Sequence, residues 1–419
     1  MNALMVSKML LNRQCRQTFR QLHKRFSESS DYRARNMVAC GLNVIKHDRL
    51  VTHDGQILVN SFIPPLNSEA FRNMVMQVPG EGEAFFDNHA QGLRKAPIST
   101  YVAVTDACRY SCWHCSAQRR NVQVEGGEVG KGSEGQPAGG SDAAGSLSTG
   151  QMLYIVEQLQ LLGVSIIGLT GGEPLLRDDL ETIIAAVRPT SVAYVFSTGY
   201  GLGYERACAL KRAGLSGIAI SVDSPNAADH DALRQYEGAF QIAIDAIVNA
   251  KKAGLYTMSQ TVATKKTLQN GDLERLALLL KTLAVDEMRI MEPLPCGKLR
   301  GDRHSTLAAE EVEALKKLHI TFNSSRSHIK ASVFPYFESD EQFGCGAGTQ
   351  HSYVDSRGNF GPCDFIDKAF GNLLDQDVFE IWKRMHVACG GPNCGCLAKC
   401  GLRSEGRMPL FYRLMKGAK

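Results

Sequence analysis

Past residue 147 the apolar positions fall into two alternating rhythms. Met152, Ile155, Val156, Leu159 and Leu162 recur at helical spacing, with Ser148 and Thr149 as helix starters and Gly163 suited to a left-handed cap. Short β-branched or apolar runs follow: VSIIGLT (164–170), VAYVFS (192–197), GIAISV (217–222), YTMSQTV (256–262) and EMRIM (287–291), with helical patterns between them. YVAV (101–104) adds a sixth strand upstream. Such alternation predicts an α/β fold, a parallel sheet covered by helices. Polar or glycine-rich sequence follows almost every strand: CRYSCWHC, GGEP, STGYG, SVDS and EPLPCG. Ligands of parallel α/β folds sit at the C-terminal strand ends, so these stretches are expected to share one mouth.

Three other regions flank or interrupt this core. Residues 1–95 read as a lead-in, in which 36–95 form a small α/β unit and VTHDGQILV a hairpin turning at Asp54-Gly55. Between Asn121 and Leu147 the chain has too much glycine and too few large apolar groups to order itself, and reads as an insertion in the 96–300 core. Residues 301–419 lose the strand-helix rhythm and are rich in Cys and Gly.

Composition narrows the function classes. At 419 residues, a main domain with appended pieces is expected, and 44% hydrophobic with 21% charged residues is the balance of a soluble globular protein. No apolar run is long enough to span a bilayer, so no membrane role is expected. The net charge of +4 is spread without a phosphate-tracking block, which argues against nucleic acid as a partner. Lys8, Arg13, Arg16, Arg20, Lys24 and Arg25 precede the first acidic residue, Glu28; the segment is either a transit peptide or a basic amphipathic helix packed on the body. Thirteen cysteines, an odd number gathered near 108–115 and 345–400, fit metal ligation in a reducing compartment, hence the cytoplasm, better than a disulfide framework.

Cys108, Cys112 and Cys115 place three thiols on one short loop. Three thiolates hold three irons of a 4Fe-4S cube and leave the fourth open, as a catalytic metal centre requires; the alternatives are a zinc site closed by His114 or a remote residue, and inert buried cysteines. Gly171 and Gly172 let the backbone approach a ligand closely, and Glu173 is placed to accept from an ammonium. Arg177, Asp178 and Asp179 read as helix-terminus charge. Cys296, on the exit loop of the sixth strand, faces the expected cavity, whereas Cys15, Cys40 and Cys208 read as buried small hydrophobes.

The CxxxCxxC spacing after the first strand, with TGGEP (170–174) after the second, resembles the radical S-adenosylmethionine (SAM) enzymes over residues 97–300. The resemblance implies a partial (βα)6 TIM-like barrel, a 4Fe-4S cluster on Cys108, Cys112 and Cys115, and S-adenosyl-L-methionine chelating the open iron. Reductive cleavage of that cofactor would give methionine and a 5'-deoxyadenosyl radical, which abstracts hydrogen from substrate. In the family, the stretch matching Gly171, Gly172 and Glu173 holds the methionine amino group. HDALR (230–234), after Ser221 and Asp223, resembles the HDxxRG of peptide-modifying members, where the residues matching Ser221 and Arg234 contact ribose and carboxylate. Gln235 replaces the family glycine while Gly238 and Phe240 match, so Arg234 is either a cofactor ligand or a salt-bridged helix residue. Thr198, after the third strand, is a further cofactor-site candidate.

CGAGTQHSYVDSRGNFGPC and FGNLLDQDVFEIWKRM (370–385) resemble the SPASM or twitch extension, which carries auxiliary 4Fe-4S clusters. Cys345, Cys363, Cys389, Cys394, Cys396 and Cys400 are its candidate ligands. Six thiols fall short of the eight that two all-thiolate cubes need, so one auxiliary cluster is expected, held by Cys345, Cys363 and two of the last four; a zinc site from the same residues is the alternative. The family resemblance implies an oxidoreductase or maturase acting on a peptide or protein, or else a dehydrogenase of a small metabolite, fed by a flavodoxin or ferredoxin. A rival of another class is a non-catalytic iron-sulfur or zinc scaffold, against which the ligand mouth argues.

Overall fold

The computed structural model describes residues 11–26, 45–117, 146–339, 342–391 and 396–400. Almost all of the glycine-rich insertion, Cys40 and Cys394 lie outside the described residues, as does the side chain of Cys400. The basic segment forms a helix over Arg13–Phe26 whose Cys15 and Thr18 are buried while the arginines stay outside. Cys15 packs with Ile57, Val59 and Leu66 of the lead-in. Strands β1 (Val51–His53) and β2 (Gln56–Leu58) make the expected hairpin, with Asp54 (φ 47°) and Gly55 (φ 74°) both left-handed as a two-residue turn of this hand requires.

The core is six parallel strands in chain order: β3 (Ser99–Thr105), β4 (Ile166–Gly171), β5 (Val192–Ser197), β6 (Gly217–Ser221), β7 (Tyr256–Val262) and β8 (Glu287–Met291). VAYVFS shows how one run serves two layers. Ala193 and Val195 join the core beneath the outer helices, and Val192, Tyr194 and Phe196 point to the inner face. There Ile166, Ala219, Tyr256 and Met258 pack with them against Leu58 and Ala70, so the lead-in fills one end of the curved sheet. The helix Thr149–Leu162 starts at a Ser148 capping box and stops at Gly163 (φ 110°), as its spacing predicts.

The sheet extends past residue 300. A helix over Ala309–Ser324 leads to β9 (Ala331–Val333), which pairs in parallel with β8. On the opposite edge β10 (His351–Val354) pairs in parallel with β3, and β11 (Asn359–Gly361) and β12 (Gly371–Asn372) add antiparallel strands to complete a sheet of ten. A helix over Val378–Cys389, capped by Asp377, folds back so that Trp382 Nε1 donates to the Arg94 carbonyl at 3.2 Å. Among the described residues no helix is long and apolar enough to cross a membrane.

Candidate active site

The three-thiol loop leaves the end of β3 and is held from three sides. From below, Gly172 N–H donates to Thr105 O at 2.7 Å and Glu173 N–H to Ala107 O at 2.7 Å. A Cβ on Gly171 would lie 2.3 Å from Thr105 O, and one on Gly172 2.1 Å from Ala107 O. These glycines are therefore required by the approach of the loop's own backbone, where the sequence suggested approach to a ligand. From the side, Ser111 and Trp113 N–H groups donate to the carbonyls of Arg234 and Leu233 at the end of the helix Ala227–Arg234. From beyond β8, Lys298 N–H donates to Cys115 O at 3.0 Å and its ammonium reaches Ser111 O at 2.6 Å. Gly297 (φ 53°) has no room for a side chain, since its Cβ would meet Cys115 O at 2.2 Å.

Cys108, Cys112, Cys115 and His114 line a cavity of 180 Å³, together with Thr170, Gly171, Gly172, Thr198, Ser221, Gln260 and Arg234. The sequence candidates thus converge, with qualifications. Glu173 is 1% exposed and its carboxylate is occupied by the protein: Ser197 Oγ (2.6 Å) and Leu175 N–H (3.0 Å) donate to one oxygen, Thr198 N–H (2.7 Å) and Oγ1 (2.6 Å) to the other. Burial raises its carboxyl above the usual range despite these bonds. Thr198 is accordingly the Glu173 partner as well as a wall of the cavity.

Arg234 lines the cavity and also forms a salt bridge. Its guanidinium meets the Asp223 carboxylate at 2.7 Å, with both side chains buried. Burial pushes the Asp223 carboxyl up, but Arg234, His114 and His230 outweigh it and hold it below the usual range. Arg234 Nη1 also lies 3.6 Å from Cys112 Sγ, so it adds positive charge where a thiolate is needed. Asp231, of the same HDALR stretch, accepts Gly238 and Phe240 N–H groups and starts the next helix. Gln235 keeps the left-handed conformation (φ 51°), which explains why a glycine suits this position and why Gln235 does not abolish the turn. Half-buried His114, whose imidazole is pushed down to about 4 by desolvation, has a buried Nδ1 with no hydrogen-bond partner among the described residues.

The tail cysteines separate into two groups. Cys345, Cys363 and Cys396 line one cavity of 160 Å³, with Leu397 and Ile366 packed beside them. Cys389 packs on Gly348, where an added Cβ would lie 2.3 Å from its Sγ, and is absent from that cavity's wall. Lys399 Nζ donates to Glu292 Oε2 at 2.5 Å, which ties the last described turn to the exit of β8. The two cavities share Thr170, Phe196, Gln260, Met291, Asp364 and Phe365, so the thiol-loop cavity and the tail-cysteine cavity adjoin. A third cleft of 490 Å³, lined by Arg300, Tyr353, Arg357 and Lys368 among others, opens beside them. Asp364 borders all three spaces, and its Oδ1 lies 3.5 Å from His351 Nε2. Cys296 lines the first and third spaces, as its position after the sixth strand suggested. Asp364, Gln260 and Lys298 stand in no spacing pattern, and their roles arise only where distant segments meet.

A parallel half-barrel that presents three thiols from its first strand at the mouth, backed by a glycine pair from its second, defines a protein built to hold an open iron-sulfur centre with a small cofactor beside it. A model of the radical SAM superfamily matches residues 102–279, and a SPASM model, an iron-sulfur cluster-binding domain, matches residues 345–394. The chain thus carries a radical SAM domain followed by a SPASM domain. It is 25% identical over 304 residues to the AdoMet-dependent heme synthase of Nitratidesulfovibrio vulgaris, covering 67% of this chain and 77% of that one. It is 27% identical over 326 residues to the mycofactocin maturase MftC of Mycolicibacterium smegmatis, with 73% and 76% covered. In fold it resembles Streptococcus suis SuiB bound to its precursor peptide SuiA (TM-score 0.54, 13% identity, 73% and 71% covered) and anSMEcpe with bound AdoMet (TM-score 0.54, 16% identity, 77% and 95% covered). Its cofactors are 4Fe-4S clusters and S-adenosylmethionine.

Proposed function

We propose that this enzyme oxidatively modifies a peptide or protein substrate held between the Cys108, Cys112, Cys115 centre and one auxiliary cluster. The observation that carries the reading is the shared wall of the two cysteine-lined cavities, across which one substrate would reach both. Three thiolates on a loop backed by the Arg234 cation fit an open 4Fe-4S cluster, and Cys345, Cys363 and Cys396 on one wall fit an auxiliary one. When bound, the first cluster with S-adenosylmethionine supplies a 5'-deoxyadenosyl radical, and the second supplies an electron acceptor. The chain's own part is position and proton transfer. The Gly171–Gly172 contacts and Lys298 fix the loop, and Thr170, Ser221 and Gln260 line the space beside it. Asp364 takes up the proton released as substrate is oxidised, with His351 close enough to steady its charge. The named maturases among the relatives, MftC and SkfB of Bacillus subtilis, favour a peptide substrate.

A second reading, a small metabolite, is favoured by the heme synthases at 25–26% identity. A flavodoxin or ferredoxin as electron donor and a cytoplasmic setting complete the proposal. The test is anaerobic reconstitution. The chain should bind about eight irons and convert S-adenosylmethionine with a strong reductant to methionine and 5'-deoxyadenosine. The Cys108, Cys112 and Cys115 triple alanine variant should keep about four irons and lose cleavage. Retained cleavage would reject the ligand assignment, and zinc in place of iron would make the chain a scaffold. Loss of two hydrogen atoms from a candidate peptide, or from a candidate small metabolite, decides between the two substrate classes.

A further inference from the structure

Arg289 on β8 is a fully buried guanidinium with no carboxylate within ion-pair distance among the described residues. Glu287, two residues earlier, is already paired with Lys330 at 2.5 Å and accepts from Tyr256 OH at 2.8 Å. The charge of Arg289 is instead shared with the rings of Phe62, Phe196 and Phe334, each about 5 Å from its central carbon. Two of its nitrogens are engaged: Nη1 donates to Ser61 Oγ at 2.7 Å and Nη2 to the Tyr101 hydroxyl oxygen at 3.1 Å. Nε keeps no partner.

A guanidinium only donates, so Tyr101 accepts from it and its own O–H must point elsewhere. No described residue accepts that proton. The ring is held firmly in place. Gly168 leaves the slot it occupies, since a Cβ there would lie 2.4 Å from Tyr101 Cδ1, while Phe196 and His351 press on it at 4.7 Å. Tyr101 lines the cavity between the first centre and the tail cysteines, whose other walls include Phe62, Phe196, Phe334, Phe337, Phe343 and Met291. Burial raises the phenol's pKa despite the nearby guanidinium, so it stays protonated. The titratable groups facing the same space are Glu338, His351 and Asp364, beside the cysteines.

We infer that Tyr101, positioned and polarised by Arg289, donates a hydrogen bond to a carbonyl oxygen of an apolar, aromatic-sized group of the substrate, and so selects for an acyl-bearing group at this depth. The inference rests on the proposed function for what the cavity is for, but its test does not depend on turnover. Fully reconstituted enzyme is assayed by anaerobic equilibrium dialysis with phenylacetamide and with phenylacetate, two probes that share the carbonyl oxygen and differ in charge. Wild type should bind at least one of them, and Tyr101→Phe, which keeps the ring and its packing, should weaken that binding about tenfold, the size of one polarised hydrogen bond. Binding of the amide places a neutral carbonyl here, and binding of the acid alone places a carboxylate. No binding of either probe, or equal binding by Tyr101→Phe, would overturn the inference. So would a changed electron paramagnetic resonance spectrum of the auxiliary cluster in Tyr101→Phe with probe affinity intact, because the hydroxyl would then serve the cluster. Cleavage of S-adenosylmethionine by the same preparation reports separately on the proposed function.

Discussion

Arg234→Met removes the counter-charge of a buried carboxylate. Asp223 retains one hydrogen bond, from Val262 N–H at 3.0 Å, and loses its 2.7 Å contact with the guanidinium. Charges about 4 Å apart at an effective dielectric constant near 20 attract by about 4 kcal/mol, and breaking a buried pair at one end costs about 3–5 kcal/mol. Arg234→Met and Asp223→Asn should therefore each destabilise the cluster-free chain by about 3–5 kcal/mol. The double variant should fall short of their sum by about 3 kcal/mol, since neither charge is then left alone. Guanidinium denaturation followed by tryptophan fluorescence suits the measurement, because Trp113 stands on the thiol loop whose backbone is bonded to the Arg234 turn. Asp223 is held below its ordinary pKa, so its contribution is present above about pH 4 and fades as pH falls through the folded value; Arg234→Met should lose that acid dependence. A coupling below about 1 kcal/mol, with unchanged stability in Arg234→Met and S-adenosylmethionine affinity cut tenfold or more, would refute the salt bridge and return Arg234 to direct cofactor binding.

Other outcomes follow from single contacts. Gly172→Ala and Gly297→Ala each drive a methyl group into a loop carbonyl, at 2.1 and 2.2 Å, and should lower bound iron towards that of the triple alanine variant while auxiliary-cluster spectra persist. Gln235→Gly relieves a left-handed turn at the cost of unfolded-state entropy, for a net gain of about 0.5 kcal/mol in denaturation and no loss of iron. The Asp48 carboxylate is buried, with His319 Nε2 3.8 Å from its Oδ1, and burial raises it to about 7 despite the opposing pull of Lys330. Folding therefore retains a proton there that the unfolded chain releases, so stability should fall as pH rises from about 4 to 7, and Asp48→Asn should flatten that slope.

Much of the half-barrel was legible because each strand is a local pattern. VAYVFS, GIAISV and EMRIM are short, β-branched and bounded by turn signals, and their order in the sheet follows their order in the chain. The thiol loop was legible for the same reason, its three ligands lying within eight residues. Glu173 shows where local reading stops. Its place after two glycines suggested a ligand for an ammonium, but the donors that occupy it, Ser197 and Thr198, come from the end of the next strand. The sheet's continuation to β9 was hidden by its three-residue length, too short to carry a period.

The relation between the two cysteine sets is the part that no local pattern carries, and one pairing fixes it. β10 lies parallel to β3 with His351 opposite Ser99 and Val354 opposite Val102, a partnership across some 250 positions of sequence. β3 runs on into Cys108, whereas antiparallel β11 turns the chain back past Tyr353, so that Cys363 and Asp364 come to lie beside His351 at the start of β10. The Ser99 Oγ to His351 Nδ1 contact of 2.9 Å and the Thr100 Oγ1 to Ser352 Oγ contact of 2.8 Å lock the register that a slip of one residue would invert. Asp364 borders every cavity because β10 joins the sheet beside β3 and β11 returns the chain along it, and under the proposed function a substrate seated there would meet the thiol loop on one side and the tail cysteines on the other.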